Sequence, residues 1–449
     1  MMKLKKGFLS LSPLRYIALG TLALILIGTV LLMLPAASRA PGGTSFLDAF
    51  FVSTSATCVT GLVSVPTYEH WSLFGQIVLL VLIQIGGIGF MSVVTFLSMS
   101  LGRKISLSER QRFLISAGEN TLGGAARLLR SVIGGTFLVE GIGAGILFVR
   151  FLSLGWSVGR AAWYAVFHSV SAFCNAGFDL MGAFGQSSLC GFTGDLVVNL
   201  TVCTLILIGG LGFVVWRDLA EHKLRFSAYR LHTKIVLTGS ALLLVIGTLL
   251  MFLFEWGNDA IPLTASERVL SALFNAVTPR TAGFNTVDLG KLTDGTLAFM
   301  MLLMVIGGAP GSTAGGIKIT TLTALLLGTA ASARKSQSAS LFRRRLESDA
   351  LRQASAIATI YFSIASTAVL ILCGIEKLPV REVLFEVISA LSNVGMTLSV
   401  TPSLGALSKI VIALLMYFGR IGLLSLAMVL SERRESVPID RPEEEILLG

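Results

Sequence analysis

Phe274-Asn275-Ala276-Val277-Thr278-Pro279-Arg280-Thr281-Ala282-Gly283-Phe284 decides the fold because it does not stand alone. Ser171-Ala172-Phe173-Cys174-Asn175-Ala176-Gly177-Phe178 precedes it, and Ser389-Ala390-Leu391-Ser392-Asn393-Val394-Gly395-Met396 follows it. A more diverged copy, Ser55-Ala56-Thr57-Cys58-Val59-Thr60-Gly61-Leu62, opens the series. The four glycines lie 116, 106 and 112 residues apart, one to each quarter of the chain. A fixed period of this kind sets the architecture before any local reading does.

Working outward, the composition is that of a polytopic membrane protein. Residues are 54% hydrophobic and 13% charged, where a soluble domain carries about 25% charge, and the mean hydropathy is +0.81. The net charge of +10 does not mark nucleic-acid binding, because the basic residues fall in short clusters between apolar spans. Cys58, Cys174, Cys190, Cys203 and Cys373 have neither disulfide nor metal-ligand spacing. Cys58 and Cys174, near the repeated glycines, read as small buried side chains. The N-terminus looks like a signal peptide, with Lys3, Lys5 and Lys6 before an apolar run and Ser38-Arg39-Ala40 after it. Tyr16–Leu34 exceeds the length of a signal core, so it is read as an uncleaved first membrane helix.

Eight segments are long and apolar enough to cross a bilayer: Tyr16–Leu34, Trp71–Leu101, Leu129–Leu152, Asp195–Trp216, Leu231–Phe254, Leu292–Leu327, Leu351–Gly374 and Leu404–Leu430. Within each pair lies a piece too short to span: Ser45–Ala56, Val158–Phe173, Ala265–Val277 and Val380–Leu391. Thr264 with Glu267 makes a capping box for the third, and Pro379 suits the first turn of the fourth. The expected fold is an all-α polytopic membrane protein of four helix–pore-helix–helix repeats, set pseudo-fourfold around one central pore. Repeat A is residues 1–102, repeat B 103–217, repeat C 218–335 and repeat D with a tail 336–449. Twenty-four Lys and Arg fall on one side of the spans and nine on the other, Arg280 counted among the nine. That asymmetry puts both termini in the cytoplasm and the glycine turns outward.

A second fourfold pattern lies in the second helix of each repeat. It reads Ile85-Gly86-Gly87-Ile88-Gly89-Phe90, Ile208-Gly209-Gly210-Leu211-Gly212-Phe213, Ile306-Gly307-Gly308-Ala309-Pro310-Gly311 and Phe418-Gly419-Arg420-Ile421-Gly422-Leu423. In the first two copies, small residues for close helix packing explain the pattern. The third runs on through Gly311-Ser312-Thr313-Ala314-Gly315-Gly316, where Pro310 and the glycines break the helix. In the fourth, Arg420 occupies a glycine slot inside a span, which is costly unless it faces water or a partner. Gly307–Gly316 and Arg420 therefore read as an obstruction and a positive barrier on the cytoplasmic side of the path. Lys318 either closes that gate or snorkels toward the cytoplasm. Glu140 is either an ion-coupling carboxylate or a buried acid bonded to a neighbouring helix, and His168, in a half-helix, reads as structural.

A bare monovalent cation needs oxygens in place of its water, and backbone carbonyls supply them without fixed charge. Glycine turns let the chain aim successive carbonyls at one axis, and each half-helix directs the negative end of its dipole there. Gly61, Gly177, Gly283 and Gly395 would line such a filter, with Val59, Thr60, Asn175, Ala176, Thr281, Ala282, Asn393 and Val394 before them. No ring of carboxylates, which a divalent-selective pore needs, accompanies them.

Through these motifs the chain resembles the Trk/Ktr/HKT superfamily of potassium transporters, across nearly its whole length. The resemblance rests on Thr57-Cys58-Val59-Thr60-Gly61, Asn175-Ala176-Gly177-Phe178, Thr278-Pro279-Arg280-Thr281-Ala282-Gly283-Phe284-Asn285 and Ser392-Asn393-Val394-Gly395. With eight spans it looks most like the membrane subunit of bacterial Ktr uptake systems. The resemblance implies potassium at the four filter glycines, a gate at Gly307–Gly316 faced by Arg420, and stimulation or coupling by sodium. It further implies a homodimer in the cytoplasmic membrane, resting on a cytoplasmic ATP/ADP-sensing ring, and no enzymatic role. Sodium-preferring plant relatives carry serine at the first filter glycine, so Gly61 favours potassium. An alternating-access cation symporter is the competing reading, but it calls for matched broken helices in two inverted halves. The sequence instead offers four repeats in the same direction with one broken span.

Overall fold

The computed structural model describes residues 13–39, 42–100, 111, 114, 125–184, 188–223, 225–336, 339–423 and 425. Lys3, Lys5, Lys6, most of the basic loop 102–124 and the tail from Ser431 lie outside the described residues. Within them the chain is helical, with one short hairpin pairing Ser340–Leu341 against Arg344–Arg345. Each quarter gives a first helix, a pore helix and a second helix. The first helices are Pro13–Met33, Ala125–Ser153, Leu231–Glu255 and Ser348–Ile375. The pore helices are Phe46–Cys58, Val158–Phe173, Ala265–Val277 and Val380–Leu391.

The start of each element follows from local chemistry. Ser45 Oγ accepts the amide of Asp48, and Asp195 Oδ1 accepts those of Val197 and Val198. Both halves of the Thr264–Glu267 capping box are formed. Pro379 stands at the cap itself, one residue earlier than its expected place in the first turn. All four first helices are long and apolar enough to cross a membrane, yet only 22% of the spanning window of Leu231–Glu255 is buried. Their exposed side chains, such as Leu138, Val245 and Leu370, present hydrocarbon outward, the arrangement a lipid solvent favours. The pore helices are buried toward their C-terminal ends instead, and Phe51, Phe167, Phe274 and Phe385 along them are fully buried.

The second helices depart from expectation. Trp71–Leu101 and Asp195–Trp216 are not continuous spans. Leu73–Ile88 turns through 96° into Phe90–Ser100, and Leu196–Gly210 turns through 94° into Phe213–His222. Ala406–Ile421 ends at the same place in its motif. In each case the hinge is the third glycine of the repeated pattern: Gly89, Gly212 and Gly422 have φ of +91°, +88° and +91°. That left-handed geometry is closed to most side chains, so these glycines end the helix. The broken span at 307–316, between Asp294–Val305 and Ile319–Ala333, is one of several interruptions at this depth.

The first glycine of the pattern has a separate task. A Cβ on Gly86 would lie 2.2 Å from the carbonyl oxygen of Thr57, on Gly209 2.0 Å from that of Phe173, and on Gly419 2.2 Å from that of Leu391. Each of those carbonyls belongs to the residue four before a filter glycine. The second helix is thus pressed onto the C-terminus of its own pore helix at one repeated point. In repeat C the place is taken by the loop, where Gly307 meets the carbonyl oxygen of Gly315.

Gly209→Ala should therefore overpack the contact and cost roughly 1–3 kcal/mol, read as a lower melting midpoint of the detergent-purified protein. Gly141→Ala, where nothing stands within 4 Å, should keep the midpoint or raise it, since alanine is the better helix former. Equal midpoints for both variants would refute the close-contact account.

Candidate ion pathway

The four filter glycines meet. A Cβ on Gly61 would fall 2.5 Å from the carbonyl oxygen of Ala176, and on Gly177 2.7 Å from that of Ala282. On Gly283 it would fall 2.5 Å from that of Val394, and on Gly395 2.0 Å from that of Thr60. The contacts run A to B to C to D and back to A, closing a ring in which each absent side chain makes room for the next repeat's carbonyl. The glycines have φ of +100°, +68°, +83° and +90°. Two residues earlier, Val59, Asn175, Thr281 and Asn393 are also left-handed, at +57°, +59°, +77° and +53°. A non-glycine residue with positive φ is uncommon; the same departure at the same register in all four copies marks a shared backbone task.

The pore helices hold these turns from behind. The amides of Thr60, Ala176 and Val394 each donate at 2.8 Å to the carbonyl five residues back, on Ser55, Ser171 and Ser389. Ala282 reaches only four back, to Thr278 at 2.9 Å, and the Pro279-containing copy ends its helix at Val277, six residues before its glycine, against three or four in the other copies. Hydroxyls complete the support. Ser55 Oγ accepts the amide of Gly61, Ser389 Oγ accepts that of Gly395, Ser171 Oγ donates to Phe178 O, and Thr278 Oγ1 donates to Phe284 O. Sequence reasoning assigned no role to these hydroxyls, although the serine six before the glycine recurs in three of the four copies. Between repeats, Asn393 Nδ2 donates to Thr60 Oγ1 at 3.0 Å, and the Asn175 amide meets Thr281 Oγ1 at 3.4 Å. Arg280, counted with the outer face, is instead buried behind the third turn, where Nη2 donates to Ser240 Oγ at 3.0 Å.

Beyond the ring, the loop from Gly307 to Gly316 folds back under the filter. Gly307 N donates to Ile317 O at 2.9 Å and Ile317 N to Val305 O at 3.0 Å, so the loop's two ends are zipped together. Ala309 N and Thr313 N donate to Gly210 O and Gly209 O of repeat B, and Ser312 Oγ donates to Ala309 O at 2.6 Å. A Cβ on Gly315 would lie 2.3 Å from Ser392 O, directly against the fourth filter turn. Two cations pin the loop. Arg420 Nη1 donates to Thr313 O at 2.6 Å while Nη2 donates to Gly86 O, and Lys318 Nζ donates to Ala314 O at 2.5 Å and Gly315 O at 3.2 Å. Lys318 therefore turns back onto the loop and does not snorkel. Next to these groups is a cavity of about 340 Å³, lined among others by Thr57, Gly86, Gly315, Lys318, Tyr361 and Arg420. Glu140 takes the second of its two readings: Gln84 Nε2, on the neighbouring helix, donates to its oxygens at 3.0 and 3.2 Å.

The arrangement gathers four uncharged backbone turns at the negative ends of four pore-helix dipoles. The comparisons with known proteins agree in kind. A family profile described as "TrkH: Cation transport protein" matches residues 16–437. The chain is 38% identical over 447 residues to the potassium/sodium uptake protein NtpJ of Enterococcus hirae, covering 98% of each chain. It is 37% identical over 441 residues to the Ktr system potassium uptake protein B of Bacillus subtilis, covering 98% of this chain and 97% of that one. The crystal structure of the potassium transporter TrkH from Vibrio parahaemolyticus is similar in fold, with a TM-score of 0.75 at 18% identity over 94% of this chain and 86% of that one.

Losing the hydroxyl at Ser389 strands the amide of Gly395, so Ser389→Ala should destabilise the protein by about 1 kcal/mol. Ser408 is buried with no partner for its hydroxyl, and Ser408→Ala should leave the melting midpoint in place or raise it. The reverse order of midpoints would argue against support of the filter by hydroxyls.

Proposed function

The chain belongs to the TrkH family of cation transport proteins, and we propose that it is the pore subunit of a potassium uptake system of the Ktr type. The observation that carries this reading is the closed ring of Gly61, Gly177, Gly283 and Gly395, each packed against the carbonyl before the next glycine. Potassium would shed its water there and be held by backbone oxygens alone, loosely enough to pass on. Sodium stimulates or couples the flux. The protein works as a homodimer in the cytoplasmic membrane with both termini inside, on a cytoplasmic ring that senses ATP and ADP. The relatives named for potassium/sodium and potassium uptake support the choice of ion.

The loop Gly307–Gly316 is the gate. Arg420 acts as a latch as well as a positive barrier, since it ties Thr313 of the loop to Gly86 on the second helix of repeat A. Lys318 holds the loop's returning limb. Opening requires these bonds to break together, because the loop also borrows Gly209 and Gly210 carbonyls from repeat B.

Gly61→Ser should lower the ratio of rubidium to sodium flux in reconstituted vesicles, because a side chain at φ +100° pushes against the Ala176 carbonyl. An unaltered ratio would reject the filter. Arg420→Ala removes two charge-assisted hydrogen bonds from the latch and should raise flux on the order of tenfold. Unchanged or reduced flux in a well-folded variant would count against the gate.

A further inference from the structure

The register nine residues before each filter glycine is filled by Val52, His168, Phe274 and Glu386. All four side chains are buried to within 1% exposure. Two are hydrocarbon and two are polar, and the polar pair belongs to repeats B and D. Those repeats are not neighbours in the ring, which runs A to B to C to D. They face each other across its axis.

Both polar side chains do the same thing with different chemistry. His168 Nε2 accepts the amide of Leu180 at 3.3 Å, three residues past Gly177, while its Nδ1 meets Tyr164 O at 2.7 Å. Only the neutral ring with its proton on Nδ1 satisfies both bonds. Glu386 Oε1 accepts the hydroxyl of Thr401, six residues past Gly395. In each case one pore-helix side chain reaches over the filter turn and grips the chain as it leaves. In repeats A and C the same register carries only hydrocarbon, which has no directional hold on that segment.

Burying such groups is costly unless they hydrogen-bond, and Val52 and Phe274 demonstrate that the register accepts apolar side chains. We propose that His168 and Glu386 are positioning residues that fix the filter width along the B–D diagonal and thereby its discrimination between potassium and sodium. The proposal rests on the filter reading above. A cage of neutral carbonyls selects a larger bare ion only while it cannot contract around a smaller one. Contraction along B–D would have to move the exit segments that these two side chains hold, whereas the exit segment of repeat C is tied by repeat B, where Ser188 Oγ accepts the amide of Asn285, Leu189 N donates to its carbonyl and Thr193 Oγ1 donates to Thr286 O. The two struts act through the backbone and touch no ion themselves.

The test uses the full chain reconstituted in vesicles, with rubidium and sodium fluxes measured separately. Glu386→Leu and His168→Phe place at each site the kind of side chain the other repeats carry, and each should lower the rubidium-to-sodium ratio about fivefold, the effect of one lost hydrogen bond. Glu386→Gln and His168→Gln keep an acceptor in place and should hold the ratio within about twofold of the parent. Adding Thr401→Val to Glu386→Leu should bring no further loss, since both act through one bond. If Glu386→Leu fails to fold, Thr401→Val alone carries the same expectation. The idea is overturned if the leucine and phenylalanine variants keep the parental ratio while Gly61→Ser shifts it, or if the glutamine variants lose as much as the apolar ones. If Gly61→Ser also leaves the ratio unchanged, the filter reading itself fails and the struts fall with it.

Discussion

The structure depends on four glycines that each give up the space of a side chain to a neighbouring repeat's carbonyl. Any Cβ at Gly61, Gly177, Gly283 or Gly395 would fall within 2.7 Å of a backbone oxygen, closer than carbon and oxygen approach without a bond. The ring closes only because all four positions are bare, and each also has a φ that bulkier residues rarely adopt. The pore helices, the hydroxyl supports and the packing of the second helices all serve to hold that ring. At membrane depth such irregular backbone persists only when protein buries it or a polar path runs beside it, and here the turns are buried.

The fourfold plan is regular around the ring and irregular beneath it, at the loop and Arg420. Gly86, Gly209 and Gly419 press their helices onto the same carbonyl of the pore helix. In repeat C that contact is given over to the loop, which packs Gly315 against both Gly307 and the fourth filter turn. Arg420 replaces a glycine in repeat D and lies within reach of that loop. The two exceptions to the repeat are thus one device seen from two helices. Lys409 and Asp48, 3.0 Å apart, tie repeat D back to repeat A and close the circle.

Much of this was legible in the chain. The recurrence of Asn-x-Gly at Asn175, Asn393 and, as Thr-Ala-Gly, at Thr281 named the filter segments, and Pro310 among glycines named the loop. The 90°-scale bends at Gly89 and Gly212 were not read, although the third glycine of the pattern was visible, because hydropathy registers composition and not direction. Arg280 was misplaced for a related reason. A charge count assigns residues to a side of the membrane, whereas its side chain turns inward to Ser240.

Sequence by itself determined that there are four units, which glycines they share, and where the series breaks at Gly307–Gly316 and Arg420. Periodicity and composition are properties of the chain's order, so they survive without coordinates. Only the tertiary structure decided which repeat touches which, that Lys318 folds back on its own loop, and that His168 and Glu386 hold the exit segments of opposite repeats. The first of these depends on distances between residues more than a hundred positions apart, the others on where side chains turn once the backbone is placed. Such distances are set by how helices pack against one another, which no local pattern records.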